Sequence, residues 1–366
     1  MQTKLTGQER VNRAMEHRDQ DRTPRYETFW GETIERWQSE GLEGDAGTVL
    51  ELLGGDIAGL CWNWPAPFPG VREVLSEDET TQIVRDAFGA TAKFWKGRSG
   101  TPEHIGFECD SAEIWRERFK PALLATPTQV DVAGAVRAQE WARTRGMWTC
   151  LVGVESFEAT RKVLGDEVSL IAMATDPEWV VDFSRTHTDM VLRDFDAIMA
   201  TGIQPDGVWI YGDMAYNHAT MCSPAMYKEL IWPDHKRLVD WAHERGMKFI
   251  YHTDGDINGV LDLYVEAGFD AIQPLEAKAH MDIRKIGPTH GSRLSLFGNI
   301  DVMIMGTNDP DRIEEEIRTK FAAGMATKGY IYHSDHSVPP TVSWRTYQRI
   351  IELVDKYGWY EPGLSG

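Results

Sequence analysis

The chain predicts an α/β protein built as a (β/α)8 TIM barrel, and three observations carry that expectation. Short apolar runs alternate with longer amphipathic stretches, the rhythm of parallel strands joined by crossover helices. Nearly every apolar run ends on a polar or ionisable side chain, as strands do where a barrel builds a site at their carboxyl ends. No composition shift, internal repeat or low-complexity tract divides the 366 residues, a length that one barrel with insertions fills. A single domain over 1–366 is therefore expected. Its 42% hydrophobic and 10% aromatic content is enough for a large core.

The first element is a helix. Thr6-Gly-Gln-Glu9 reads as a capping box opening it, with Val11, Ala14 and Met15 on one side. Strands are expected at 25–29, 57–62, 148–154, 207–211, 248–252, 271–275, 294–297 and 330–333. Helices lie between the later ones, among them 223–245 and 309–323. Pro224 falls in a first turn, where a missing N–H costs nothing. The rhythm breaks over 65–125. A Pro/Gly-rich entry loop (65–70) leads there to a stretch, 80–97, that alternates on both sides of Phe88-Gly-Ala90. That pattern predicts an N-terminal β-hairpin excursion near the barrel mouth.

Charge narrows the range of partners. With Lys+Arg 38 against Asp+Glu 57 the formal net charge is −19, a mean field that repels nucleic acid and anionic membrane surfaces. Met1 to Arg25 is charged throughout, and no apolar run reaches the length of a membrane span. Cys61, Cys109, Cys150 and Cys222 are scattered without C-x-x-C spacing, so free thiols in a reducing, cytoplasmic setting are expected. A homodimer is compatible with the sequence. No phosphate-cradling glycine loop and no G-x-S-x-G elbow occur.

The candidate strand ends carry Glu27, Glu155, Tyr211-Gly-Asp213, His252-Thr-Asp254-Gly-Asp256, Glu276, Asn299-Ile-Asp301 and His333-Ser-Asp335-His336. One acid after a strand is ordinarily a helix N-cap; so many on one rim suggest a polar pocket. The strongest cluster is His252-x-Asp254, since residues i and i+2 of a strand share a face. With Glu276 and His336 these side chains could close a Zn²⁺ site with an open position for substrate. The alternative is that His252 merely caps a strand while Asp254 and Asp256 cap the next helix. Trp62 and Trp64, with Phe68, either wall a planar ligand or pack the excursion onto the barrel. His218, His235, His243 and His290 are expected on the surface.

Along the chain stand Thr6-Gly-Gln-Glu-Arg-Val with Asp21-Arg-Thr-Pro24, Ser156-Phe-Glu-Ala-Thr-Arg-Lys-Val-Leu-Gly165 with Asp176-Pro-Glu178, Ser223-Pro-Ala-Met-Tyr227 with Trp232-Pro233, Gly298-Asn-Ile-Asp301, and Pro339-Pro340. In content and order these blocks resemble those of the uroporphyrinogen decarboxylase superfamily. The decarboxylases place an arginine-bearing R-Q-A-G-R block after the D-R-x-P opening. Here Tyr26-Glu-Thr-Phe-Trp-Gly stands in its place, so turnover of an eight-carboxylate porphyrinogen is not expected. The chain is more similar to the cobamide-dependent methyltransferases, whose zinc motif is H-x-C, an acid on the next strand, and C-G-x-P-P. His252 keeps its place there, Asp254 and His336 replace the two cysteines, and Glu276 matches the acid. That resemblance implies a divalent metal, most simply Zn²⁺, in a harder N/O ligand set suited to a substrate oxygen. It also implies a small-molecule methyl donor, a methoxylated compound with aromatic ones among the candidates, and a corrinoid carried by a partner protein. In this reading Asp213, Glu155 and Asp254 are the catalytic candidates, and Glu27, Trp62, Trp64, Tyr211 and Asn299 line the substrate. The alternative it leaves is a metal-free lyase that decarboxylates a smaller acid.

Overall fold

The computed structural model describes residues 4–97 and 100–360. The first helix, Gly7–Met15, opens on the expected capping box: Thr6 Oγ1 accepts from Glu9 N at 3.1 Å, and the Glu9 carboxylate accepts from Thr6 N at 2.8 Å. After strand β1 (Ile57–Gly59) the chain leaves the main sheet. It forms a four-stranded antiparallel sheet, β2 (Glu73–Glu77), β3 (Thr81–Arg85), β4 (Ala90–Trp95) and β5 (Glu103–Phe107), paired in that order. Next come β6 (Trp148–Val154), β7 (Gly207–Tyr211) and a two-stranded ribbon, β8 (Ala215–Tyr216) and β9 (Ala219–Thr220). The last four are β10 (Lys248–Thr253), β11 (Ala271–Pro274), β12 (Ser295–Phe297) and β13 (Tyr330–Ile331).

Strands β1, β6, β7, β10, β11, β12 and β13 make one seven-stranded sheet in that order, every pair parallel. The sheet is curled and TIM-like. The segment expected as a strand at 25–29 forms only isolated bridges, Arg25 to Tyr332 and Phe29 to Val338. Tyr332 N donates to Pro24 O at 2.8 Å and Tyr26 N to Tyr332 O at 3.1 Å, while Asp56 N donates to Arg25 O at 2.8 Å. The segment thus runs between the two edges of the sheet.

Alternation along the strands sorts side chains into two cores. Trp148, Cys150, Val152, Trp209, Ile250, Ala271, Phe297 and Ile331 fill the interior, with Val11, Ala14 and Met15 of the first helix packed against them. The intervening residues, such as Leu151, Val208, Ile210, Phe249 and Tyr251, pack outward in the sheet–helix layer. Gly207 is required by this packing: a Cβ there would lie 2.4 Å from the Trp148 ring.

A buried ionic network holds the amino-terminal segment. Asp56 accepts from Arg10 Nη1 and Arg22 Nη1, each at 2.7 Å, and from Arg25 N at 2.9 Å. Asp21 takes Arg10 through two further bonds, at 2.7 and 2.9 Å. The Asp21-Arg-Thr-Pro24 motif therefore anchors the chain to the start of β1.

Candidate metal centre

Register explains the site. His252 pairs with Tyr211 on one side and Gln273 on the other, so these three side chains form one inward-facing layer above Trp209 and Ile250. The His252 ring stacks on Tyr211 with centroids 4.3 Å apart, and its Nδ1 hydrogen-bonds Gln273 Oε1. That bond turns Nε2 toward Asp213 Oδ1, 3.7 Å away. Two residues further along each strand direction, Asp213 follows Tyr211 and Asp254 follows His252. Asp213, His252 and Asp254 each present one ligand atom within 4.8 Å of the others.

Asp254 shows why a cation suits the cluster. Its Oδ1 is buried and has no hydrogen-bond partner among the described residues. Burial pushes its carboxyl pKa up, the His252 and His336 imidazoles oppose that, and the neighbouring Asp213 and Glu276 carboxylates add to it. Two carboxylates and an imidazole converging on an unpartnered oxygen fit a divalent ion with N/O ligands. His336 Nε2 lies 3.7 Å from Asp254 Oδ2, its ring stacked on Trp30.

Glu276 is placed differently. Its Oε2 accepts from Gly255 N at 2.8 Å and its Oε1 pairs with Lys278 at 2.9 Å, so both oxygens are engaged and Asp213 stands in the ligand cluster. Leu275, with φ of 60°, breaks the strand alternation just before it. Asp213 had a readable signal: Tyr211-x-Asp213 repeats, one strand over, the same-face spacing of His252-x-Asp254.

The other expected site residues divide between the pocket wall and the scaffold. Trp62 is 53% exposed and meets Tyr211 edge-on at 5.2 Å, giving an aromatic wall beside His252. Trp64 packs on Phe88 of the excursion, 4.9 Å between centroids. Asn299 is fully buried; it donates to Leu275 O at 2.6 Å and to Met281 O, and accepts from Ile283 N at 3.0 Å. Glu155 is also buried and caps the helix Ser156–Leu164 through Phe157 N and Glu158 N. His235 Nε2 meets Glu155 Oε2 at 3.1 Å, and its Nδ1 meets Tyr227 Oη at 2.9 Å. His235 is thus a core residue and not a surface one, because the helix Trp232–His243 turns it inward onto the end of β6.

Glu27 is enclosed at the edge of the mouth. It accepts from Ser334 Oγ at 2.6 Å and Tyr332 Oη at 3.2 Å. Burial raises its pKa to about 8 despite those bonds. Burial also drops the adjacent His333 to about 3, and His333 Nε2 is 3.5 Å from Glu27 Oε1. Burial thus favours the neutral carboxyl and the unprotonated imidazole.

Comparison with known proteins agrees with this architecture. The family model for uroporphyrinogen decarboxylase (URO-D) matches residues 164–357, more than half of the chain. No curated protein matches in sequence. Among solved structures, a methyltransferase from Methanosarcina mazei superposes with a TM-score of 0.66 at 14% identity, over 97% of this chain and 99% of that one. At that identity the likeness is one of fold. The chain belongs to the uroporphyrinogen decarboxylase (URO-D) family.

Proposed function

We propose that the chain is a methyltransferase component that takes a methyl group from a methoxylated aromatic small molecule for the Co(I) of a separate corrinoid protein. The observation that carries this reading is the convergence of Asp213, His252 and Asp254 beside an unpartnered Asp254 oxygen at the strand ends. A divalent ion held there, Zn²⁺ in the simplest case, would act as a Lewis acid toward the ether oxygen and ease departure of phenoxide. Gln273 engages Nδ1 of the imidazole, so Nε2 would be the ligating atom. His336, 3.7 Å from Asp254, would complete the set. Trp62 and Tyr211 offer ring faces and edges to an aryl ether, and the acceptor approaches from the open carboxyl side of the sheet.

Element analysis of the purified protein should find one divalent ion per chain, lost in His252→Ala and in Asp254→Ala. The loaded protein, given 2-methoxyphenol and cob(I)alamin, should form methylcob(III)alamin and catechol in equal amounts. Folded protein that takes up no metal, or that releases CO₂ from small aromatic acids without one, would replace this reading with the lyase.

A further inference from the structure

We propose a second ligand site, a slot through the barrel wall between the amino-terminal segment and β1, shaped for a planar aromatic carboxylate. It is separate from the metal centre and independent of the function proposed above. In a parallel sheet the backbone groups of alternate residues face alternate neighbours. Trp148 N donates to Asp56 O and Leu60 N to Cys150 O, so the Asp56 carbonyl and residues 58 and 60 face β6. Ile57 and Gly59 therefore present their N–H and C=O groups to the other side. There, Tyr26 N bonds Tyr332 O and Val338 N bonds Thr28 O, which leaves the Glu27 backbone facing β1. Among the described residues the one backbone hydrogen bond across this seam is Asp56 N to Arg25 O, at its lower end.

Along that seam lies a cavity of about 500 Å³, a size that holds a small organic ligand. Its inner wall is Tyr26, whose ring packs on Trp209 at 5.4 Å and His333 at 5.9 Å. Leu50 and Ala58 line its sides, and Trp141 stands at the rim, 47% exposed. The Arg145 guanidinium lies 4.3 Å over the Trp141 ring. Arg145 Nη1 donates to Trp141 O and Thr144 Oγ1, each at a long 3.4 Å, and Glu51 approaches Nε only to 3.9 Å, beyond hydrogen-bond range, which leaves Nη2 for a ligand. Two aromatic walls and apolar sides select a flat ring. The Arg145 cation at the rim and the unpaired strand N–H groups select an anionic substituent on it. Gly54, Gly55 and Met147 of the lining precede β1 and β6, so the slot opens toward the amino ends of the strands, opposite the metal centre.

The test is calorimetric titration of the full chain with 2-naphthoate. One site per chain is expected, unchanged in His252→Ala. Arg145→Gln should weaken it about tenfold, the worth of one charge-assisted hydrogen bond, and neutral 2-naphthamide should bind the native chain correspondingly less tightly. Ala58→Phe should abolish binding by filling the slot; Leu50→Phe, filling it from the helix side, decides the matter if Ala58→Phe fails to fold by circular dichroism. Absence of binding at millimolar naphthoate would overturn the proposal. So would binding that survives both filling variants, or binding lost in His252→Ala.

Discussion

At the scale of single residues, the site turns on which nitrogen of His252 is free. Gln273 holds Nδ1, a partner of the kind whose loss costs ten- to a hundredfold in metal affinity. Gln273→Leu should therefore weaken divalent-ion binding by about that factor, measured by competition with a chromogenic chelator, while the far-ultraviolet spectrum stays unchanged. The His252–Asp254 half of the cluster is legible in sequence, because spacing of two on a strand puts both on one face. Glu276 reads there as a ligand too, but the turn at Leu275 takes it out of that alternation. Glu27 gives a second residue-scale prediction. Its folded pKa, about 8, is above the ordinary carboxyl value, so the folded state holds a proton that the unfolded chain releases. Its contribution is fully present below about pH 4.3 and is lost as pH rises through 8. Across that window stability should fall by up to about 1.4 kcal/mol per pH unit. Glu27→Gln should flatten the decline in melting temperature between pH 6 and 9; an equal decline in both proteins would contradict the assignment.

At the scale of elements, strand positions are the most legible feature and the roles of strand-end acids the least. The apolar runs at 148–154 and 207–211 coincide with β6 and β7, since a strand buried on both faces reads as a continuous apolar run. The stretch 25–29 reads as a strand too but forms bridges only, because its pairing depends on two edges brought from opposite ends of the chain. The helix expected over 223–245 is interrupted by a wider turn at Tyr227–Ile231, just before Trp232-Pro233. Glu155 illustrates how a capping residue and a catalytic one look alike in sequence. Structure gives it three tasks: two helix-end N–H groups and the His235 ring. Gly212 has to be glycine beside it, since a Cβ there would meet Glu155 Oε1 at 2.1 Å. Glu155→Ala removes the cap and strands a buried imidazole, which should cost about 2–4 kcal/mol in urea unfolding. Glu155→Gln, which keeps an acceptor oxygen, should cost less than half of that.

At the scale of the molecule, the curled sheet is joined by a segment that belongs to neither edge, and charge performs the joining. The motif around Asp21 and Arg22 resembles a family signature in sequence, yet its charged side chains close the fold around Arg10 and Asp56 and take no part in the Asp213–His252–Asp254 cluster. Asp56 is buried with Arg10 and Arg22 against its two oxygens. Taking two guanidinium groups out of water is tolerable only while Asp56, helped by Asp21 on Arg10, neutralises them. Asp56→Asn keeps the shape and removes the charge, so it should lower unfolding stability by about 3–5 kcal/mol, the cost of breaking a buried pair. Loss of the anchor should also act unevenly. The amides of Tyr26 and Tyr332, which bond across the closing segment, should exchange with deuterium long before those of Trp209 and Tyr251 in the middle of the sheet. Uniform acceleration at all four amides would mean that the network stabilises the whole barrel alike, and that closure is not its particular task.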